Sequence, residues 1–240
     1  MTLHMSEFKW RHFLPEVILQ CVRWYCKYGI SYRDLEEMME ERGVSVDHTT
    51  LYRWVQHYAP EMEKRLQWYR GYRSSSWRVD ETYIKVKGVW KNHYRAVDEQ
   101  GRTLDFYLSH TRNAKAAKRF LNKTLKLHKH YPPYVINTDK NPAYGDAIRA
   151  LNKEGVLNDA TDHRQVKYLN NPVEADHGKL KRLIKPTLGF KSMKTAYATL
   201  KGFETMRMFR KGQFSIWTQG EGVVGEIRLI NRLFDVYSFA

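Results

Sequence analysis

Apolar positions recur at helical spacing in the first third of the chain and alternate from Trp77 onward, so the period itself divides the sequence in two. Residues 13–28 put Ile18, Val22 and Tyr25 or Cys26 on one stripe, with Pro15 suited to a first turn and Gly29 closing the helix. Ser31 followed by Asp34 predicts a capped helix to about Glu41, with Leu35, Met38 and Met39 inward. Gly43 turns the chain, and Asp47 is placed to cap a third helix that runs to about Tyr58 and is bounded by Pro60. A helix, a glycine turn and a second helix led by small polar residues form the helix-turn-helix pattern, although plain three-helix bundles share it. On that reading His48, Thr49, Thr50, Arg53 and Gln56 face a DNA groove, while Leu51, Trp54 and Val55 pack inward. EMEKRLQWYR reads as further helix, and the polar GYRSSS after it marks a boundary.

Beyond Trp77, the runs 77–86, 89–98 and 103–110 alternate and are separated by turns at Lys87-Gly88 and Asp98–Gly101, which predicts a three-stranded antiparallel ribbon. A helix over 113–128 follows, then a strand at 134–139, a helix at 142–152 and a strand at 163–169. Two more helices follow, from Pro172 to about Lys185 and over 192–211. This order describes an α/β fold, a mixed sheet flanked by helices, preceded by a small all-helical domain. The expected division is a helix-turn-helix DNA-binding domain at 1–70, a linker at 71–76, a catalytic core at 77–211 and an extension at 212–240 whose fold the pattern does not define.

Charge sharpens the picture. The chain carries 41 Lys+Arg against 26 Asp+Glu, a net of +15. Residues 77–240 hold most of it, which suits a polyanionic partner. No window has 18 uncharged apolar residues, and MTLHMSEFKW has no apolar signal core, so no membrane association and a cytoplasmic location are expected. Cys21 and Cys26 read as small core residues.

Three carboxylates carry candidate chemistry. Asp80 sits within the first strand, Asp139 ends the fourth, and Glu174 lies in the first turn of the helix after Pro172. If the first and fourth strands are neighbours, all three are expected to converge. Gathered carboxylates repel unless cations bind between them, and oxygen-only ligation favours two Mg²⁺ ions, with Mn²⁺ as substitute. Asp98 and Asp105 are alternatives, whereas Glu81 belongs to the opposite face. His177 and Lys181 follow Glu174 at helical spacing, with Gly178 between them; Lys185 is read as lying further on and off that face. Gly178 weakens the helix by about 1 kcal/mol against Ala, which close approach of a phosphate would explain.

Asp80, Asp139 and Glu174, with Lys181 seven residues beyond the glutamate, resemble the DDE triad of insertion-sequence transposases and retroviral-type integrases. WRVDETYIKVKG, VINTDKNPAYG and HRQVKYLNNPVEADHGKLKR are similar to the short bacterial transposases that form cointegrates by replicative transposition. Pro172 departs from the aliphatic residue usual there. The resemblance implies a ribonuclease-H-like core, and metal ligation by Asp80, Asp139 and Glu174. It implies contact of Lys181 with DNA near the transposon end, and recognition of terminal inverted repeats by residues 31–58. His177, Lys179, Arg182 and Lys185 are further expected DNA contacts. Double-stranded DNA, both transposon ends and target, is the expected partner of a homo-oligomer of at least two chains near the nucleoid. The implied reaction exposes 3′-OH ends and joins them to target DNA. A nuclease without strand transfer, or an inactive DNA-binding repressor, is the alternative.

Overall fold

The computed structural model describes residues 8, 12–71 and 74–236. The N-terminal stretch, apart from Phe8, and residues 72 and 73 of the expected linker therefore lie outside the described residues. In chain order the first elements are helices α1 (Pro15–Tyr28), α2 (Tyr32–Glu40) and α3 (His48–Leu66), then strands β1 (Ser76–Val86), β2 (Val89–Asp98) and β3 (Thr103–Ser109). Next come α4 (Ala114–Leu127), β4 (Val135–Asn137), α5 (Pro142–Lys153) and β5 (Asp162–Arg164). Helices α6 (Asn171–Ile184), α7 (Met193–Arg210), α8 (Ser215–Thr218) and α9 (Gly222–Leu233) complete the described chain. It forms two compact units, one from residues 1–71, 182–188 and 194–240 and the other from 72–181 and 189–193.

In the helical unit, local chemistry sets the ends of the helices. Gly29 closes α1 at φ 59°, a conformation glycine adopts without strain. Ser31 and Asp34 form a reciprocal capping box at α2, and the Asp47 carboxylate accepts from the Thr49 and Thr50 amides at the start of α3. Residues 41–47 join α2 to α3, a longer connection than the three- to four-residue turn of a compact helix-turn-helix. Pro60 does not end α3, contrary to expectation: the helix runs through it to Leu66. Proline inside a helix costs about 3 kcal/mol. Past it, Met62 and Leu66 are fully buried, and each such side chain stabilises by about 1.5–3 kcal/mol, so burial outweighs the lost hydrogen bond. A β-carbon at Gly202 of α7 would stand 2.4 Å from Cys26 Sγ and 2.8 Å from Ala59 Cβ, so glycine permits close approach to α1 and α3. Both cysteines are buried and free, and burial pushes the Cys21 thiol up to about 12.

Residues 212–236, which the hydrophobic pattern leaves undefined, hold α8 and α9. Helix α9 is fastened to α1 by a buried charge cluster. Glu226 accepts from Arg23 at 3.0 Å and from Lys27 at 2.7 and 2.9 Å. The contacts place residues 194–211 with this helical unit, whereas the sequence reading grouped them with the α/β core.

The second unit is a five-stranded sheet of order β3-β2-β1-β4-β5. Neighbours β1, β2 and β3 are antiparallel, while β4 and β5 run parallel to β1, so β2 alone opposes the rest. Lys87 and Gly88, at φ 50° and 74°, make the two-residue turn that joins β1 to β2. Trp77 and Val79 of β1, Tyr94 and Ala96 of β2 and Ile136 of β4 form one core with Phe120 and Leu121 of α4 and Tyr144, Ile148 and Leu151 of α5. Strand β5 stops at Arg164, short of the expected 163–169. The Asn137 side chain donates to the Val166 carbonyl at 3.0 Å and to Asn170 Oδ1 at 2.6 Å, and residues 167–170 coil into a 3-10 turn.

Candidate functional site

Alternation along β1 sends Trp77, Val79 and Glu81 to the core face and Arg78, Asp80 and Thr82 to the other. The parallel ladder pairs Arg78 with Asn137. Asp80 and Asp139 each follow that pair by two residues, Asp80 still within β1 and Asp139 past the end of β4, where the ladder has stopped. Ligands of open α/β sheets collect at such carboxyl ends.

Helix α6 lies over the same face as Asp80. Its His177 is buried, with Nε2 at 3.1 Å from Asp80 Oδ2 and Nδ1 at 3.3 Å from Arg95 Nη1. Arg95, fully buried, stands opposite Asp80 on β2 and pairs with Asp176. Asp139 is compensated from another side, since Arg112 Nη2 lies 3.7 Å away. The same guanidinium bonds to Glu81, a buried carboxylate that also accepts from the Tyr144 hydroxyl. Burial, and then the Glu81 charge, raise the Tyr144 phenol well above its ordinary range, so it remains a donor. Burial opposes the charge on Arg112, but Glu81 beside it leaves its pKa raised.

Glu174 occupies the first turn of α6 and is exposed, one turn before His177. Among the described residues, no three His, Cys, Asp or Glu side chains are grouped so that they could hold a metal ion. The expected convergence of three carboxylates is therefore not a ready-made cage: Asp80 is bonded to His177, and Asp139 lies beside Arg112. The donor set itself is oxygen-rich and suits a hard divalent cation.

The alternative acids are structural. Asp98 is fully buried and organises the β2–β3 turn through the amides of Gln100 and Arg102, and Asp105 pairs with Lys123. His177, expected at DNA, is turned inward. A β-carbon at Gly178 would meet no atom within 4 Å, so nothing within the fold requires glycine there. Lys179, Lys181, Arg182 and Lys185 are exposed. Lys185 falls just past the end of α6, at the start of a 3-10 turn, so the period of α6 does not set its direction. Within α6, Lys179, two residues before Lys181, points away from the Lys181 stripe.

Among the expected groove contacts Arg53 is exposed. His48 bonds to Glu36 at 3.0 Å, and Gln56 donates to Thr199 of α7 at 2.8 Å. The Thr49 and Thr50 hydroxyls donate to Asp47 at 2.5 and 2.7 Å, and these bonds hold its carboxyl well below the usual range. Sequence reading missed Arg95, Asp176 and Arg112. Arg95 was within reach of it, because a two-residue turn at Lys87-Gly88 dictates that position 95 faces position 80.

The strand order β3-β2-β1-β4-β5, with β2 alone opposing the rest and helices packed on the sheet, defines an α/β core of the ribonuclease-H-like class. Residues 74–213 match a protein family described as a DDE domain. The chain is 37% identical over 229 residues to the transposase for insertion sequence-like element IS431mec of Staphylococcus aureus, spanning 94% of this chain and 99% of that one. It is 36% identical, over the same spans, to the transposase for insertion sequence element IS257 in transposon Tn4003 of that species. The chain belongs to this family of insertion-sequence DDE transposases, which are polynucleotidyl transferases. Among solved structures, the HTLV-2 integrase catalytic core domain in complex with magnesium matches 57% of this chain and 87% of its own length in its trimeric form, at 20% identity and a TM-score of 0.43. Among the described residues no helix is long and apolar enough to cross a membrane.

Proposed function

We propose that this transposase binds the terminal inverted repeats of its element, exposes 3′-OH ends and joins them to target DNA. The observation that carries the reading is the pairing of β1 with β4, which brings the chain at Asp80 alongside the chain that leads into Asp139, with α6 laid over the Asp80 face and Glu174 in its first turn. Those three carboxylates would hold two Mg²⁺ ions, or Mn²⁺ in their place. Such ions, when bound, supply activation of the attacking oxygen and stabilisation of the leaving one. Exposed Lys181 fits the role of seating the terminal phosphate, with Lys179, Arg182 and Lys185 adding attraction to the backbone. Arg53 is the expected groove contact of α3. The assembly proposed is at least a dimer on DNA, in the cytoplasm at the nucleoid.

The test is strand transfer of a labelled transposon-end duplex into a plasmid with Mg²⁺. Joined product that requires the inverted-repeat sequence supports the reading. Cleaved ends that are never joined would make the protein a nuclease, and binding with neither step would leave it a repressor.

A further inference from the structure

We propose that Arg95 and His177 form a positioning relay that fixes the Asp80 carboxylate for its ligand role, with Asp176 anchoring the relay. This rests on the reading of Asp80 as a metal ligand. A guanidinium has only donors, so the 3.3 Å contact between Arg95 Nη1 and His177 Nδ1 requires that Nδ1 accept. The ring proton then sits on Nε2 and donates to Asp80 Oδ2 at 3.1 Å. One carboxylate oxygen is thereby tied to the protein, and Oδ1 is left to face a ligand.

Burial makes the arrangement rigid. Arg95 is 1% exposed, Asp176 5% and His177 6%, so none of the three has room to change rotamer without leaving a polar group unsatisfied. The anchoring is also redundant in chain origin: β2 supplies Arg95, while neighbouring positions of α6 supply Asp176 and His177. A guanidinium that grips both side chains fixes the rotation of α6 about its axis, and with it the direction in which Glu174 leaves the first turn. The relay therefore sets Asp80 directly and Glu174 through the helix. Removing groups that orient a ligand commonly weakens metal binding by about 10–100-fold.

Two measurements test this on the full-length protein. Long-range ¹⁵N–¹H NMR of ¹⁵N-histidine-labelled protein without metal reads the tautomer, with the His177→Gln spectrum assigning the resonance. The expected result is a proton on Nε2 and none on Nδ1; a proton on Nδ1 would overturn the relay. Mn²⁺ affinity, followed by electron paramagnetic resonance, is then compared among variants. His177→Leu should bind roughly 10–100-fold more weakly, and His177→Gln, whose amide can accept from Arg95 and donate to Asp80, should recover most of the loss. The double variant Arg95→Met, Asp176→Leu removes a buried pair together, which preserves folding, and should behave like His177→Leu. Asp80→Asn separates the two claims. If it is weak while His177→Leu binds like wild type, the relay is wrong and the metal reading stands. If Asp80→Asn also binds like wild type, the metal reading falls and takes the relay with it.

Discussion

Replacing Glu226 with alanine would leave Arg23 and Lys27 facing each other without an anion. Glu226 is 4% exposed, Arg23 6% and Lys27 8%, so neither cation can turn to solvent cheaply. The carboxylate takes three hydrogen bonds, from Arg23 at 3.0 Å and Lys27 at 2.7 and 2.9 Å. Breaking a buried pair on one side costs about 3–5 kcal/mol, because the remaining charge is uncompensated. For a chain of this size each kcal/mol lowers the melting temperature by about 2–4 °C, which gives a fall of roughly 6–20 °C. Scanning calorimetry measures it. The triple variant Arg23→Met, Lys27→Met, Glu226→Leu removes every charge at once and should melt close to wild type. A fall of under about 2 °C for Glu226→Ala would refute the reasoning, since it would mean that the cluster is hydrated in solution.

Three other substitutions probe separate parts of the account. Gly178→Ala meets no neighbour, so it should raise stability by about 1 kcal/mol in denaturant unfolding; lower joining activity in the same protein would mark close approach of DNA. Gly202→Ala should lose about 1–3 kcal/mol by the same measurement, because its β-carbon would overlap Cys26 Sγ and Ala59 Cβ. Lys181→Ala should reduce single-turnover joining about 100-fold with little loss of end affinity, while Lys179→Ala, on another face of α6, should not; equal small effects would make Lys181 an ordinary solvated lysine.

What the sequence disclosed depended on how far each signal reaches along the chain. Caps and turns are local, and so Ser31 with Asp34, Asp47, Gly29 and Lys87-Gly88 were legible and stand where expected. Pro60 misled because the helix-breaking signal is local while the burial of Met62 and Leu66 that overrides it is tertiary. Strand β5 was overextended because Asn137, a side chain from another strand, captures the Val166 carbonyl. The fastening of α9 was invisible: Glu226 is about two hundred residues from its cations. Within the candidate site, Asp80 was legible as a strand position, whereas Asp139, expected to end the fourth strand, stands two residues past it. His177 was legible as an imidazole at helical spacing from Glu174, but its partners were not, because only the packed structure shows that it meets Arg95 and Asp80.

Glu174 bears the most weight in the proposed chemistry, since β1, which carries Asp80, and β4, which leads into Asp139, are already paired while Glu174 stands exposed on its helix. The most direct measurement is single-turnover joining of a transposon-end duplex by Glu174→Gln, with enzyme in saturating excess and end binding measured in parallel. Glutamine keeps the shape and helical preference of the residue and removes only its charge. The account predicts no detectable joined product, with end affinity and melting temperature close to wild type. Joining at a near wild-type rate would contradict it, because the third carboxylate would then have no part in the reaction.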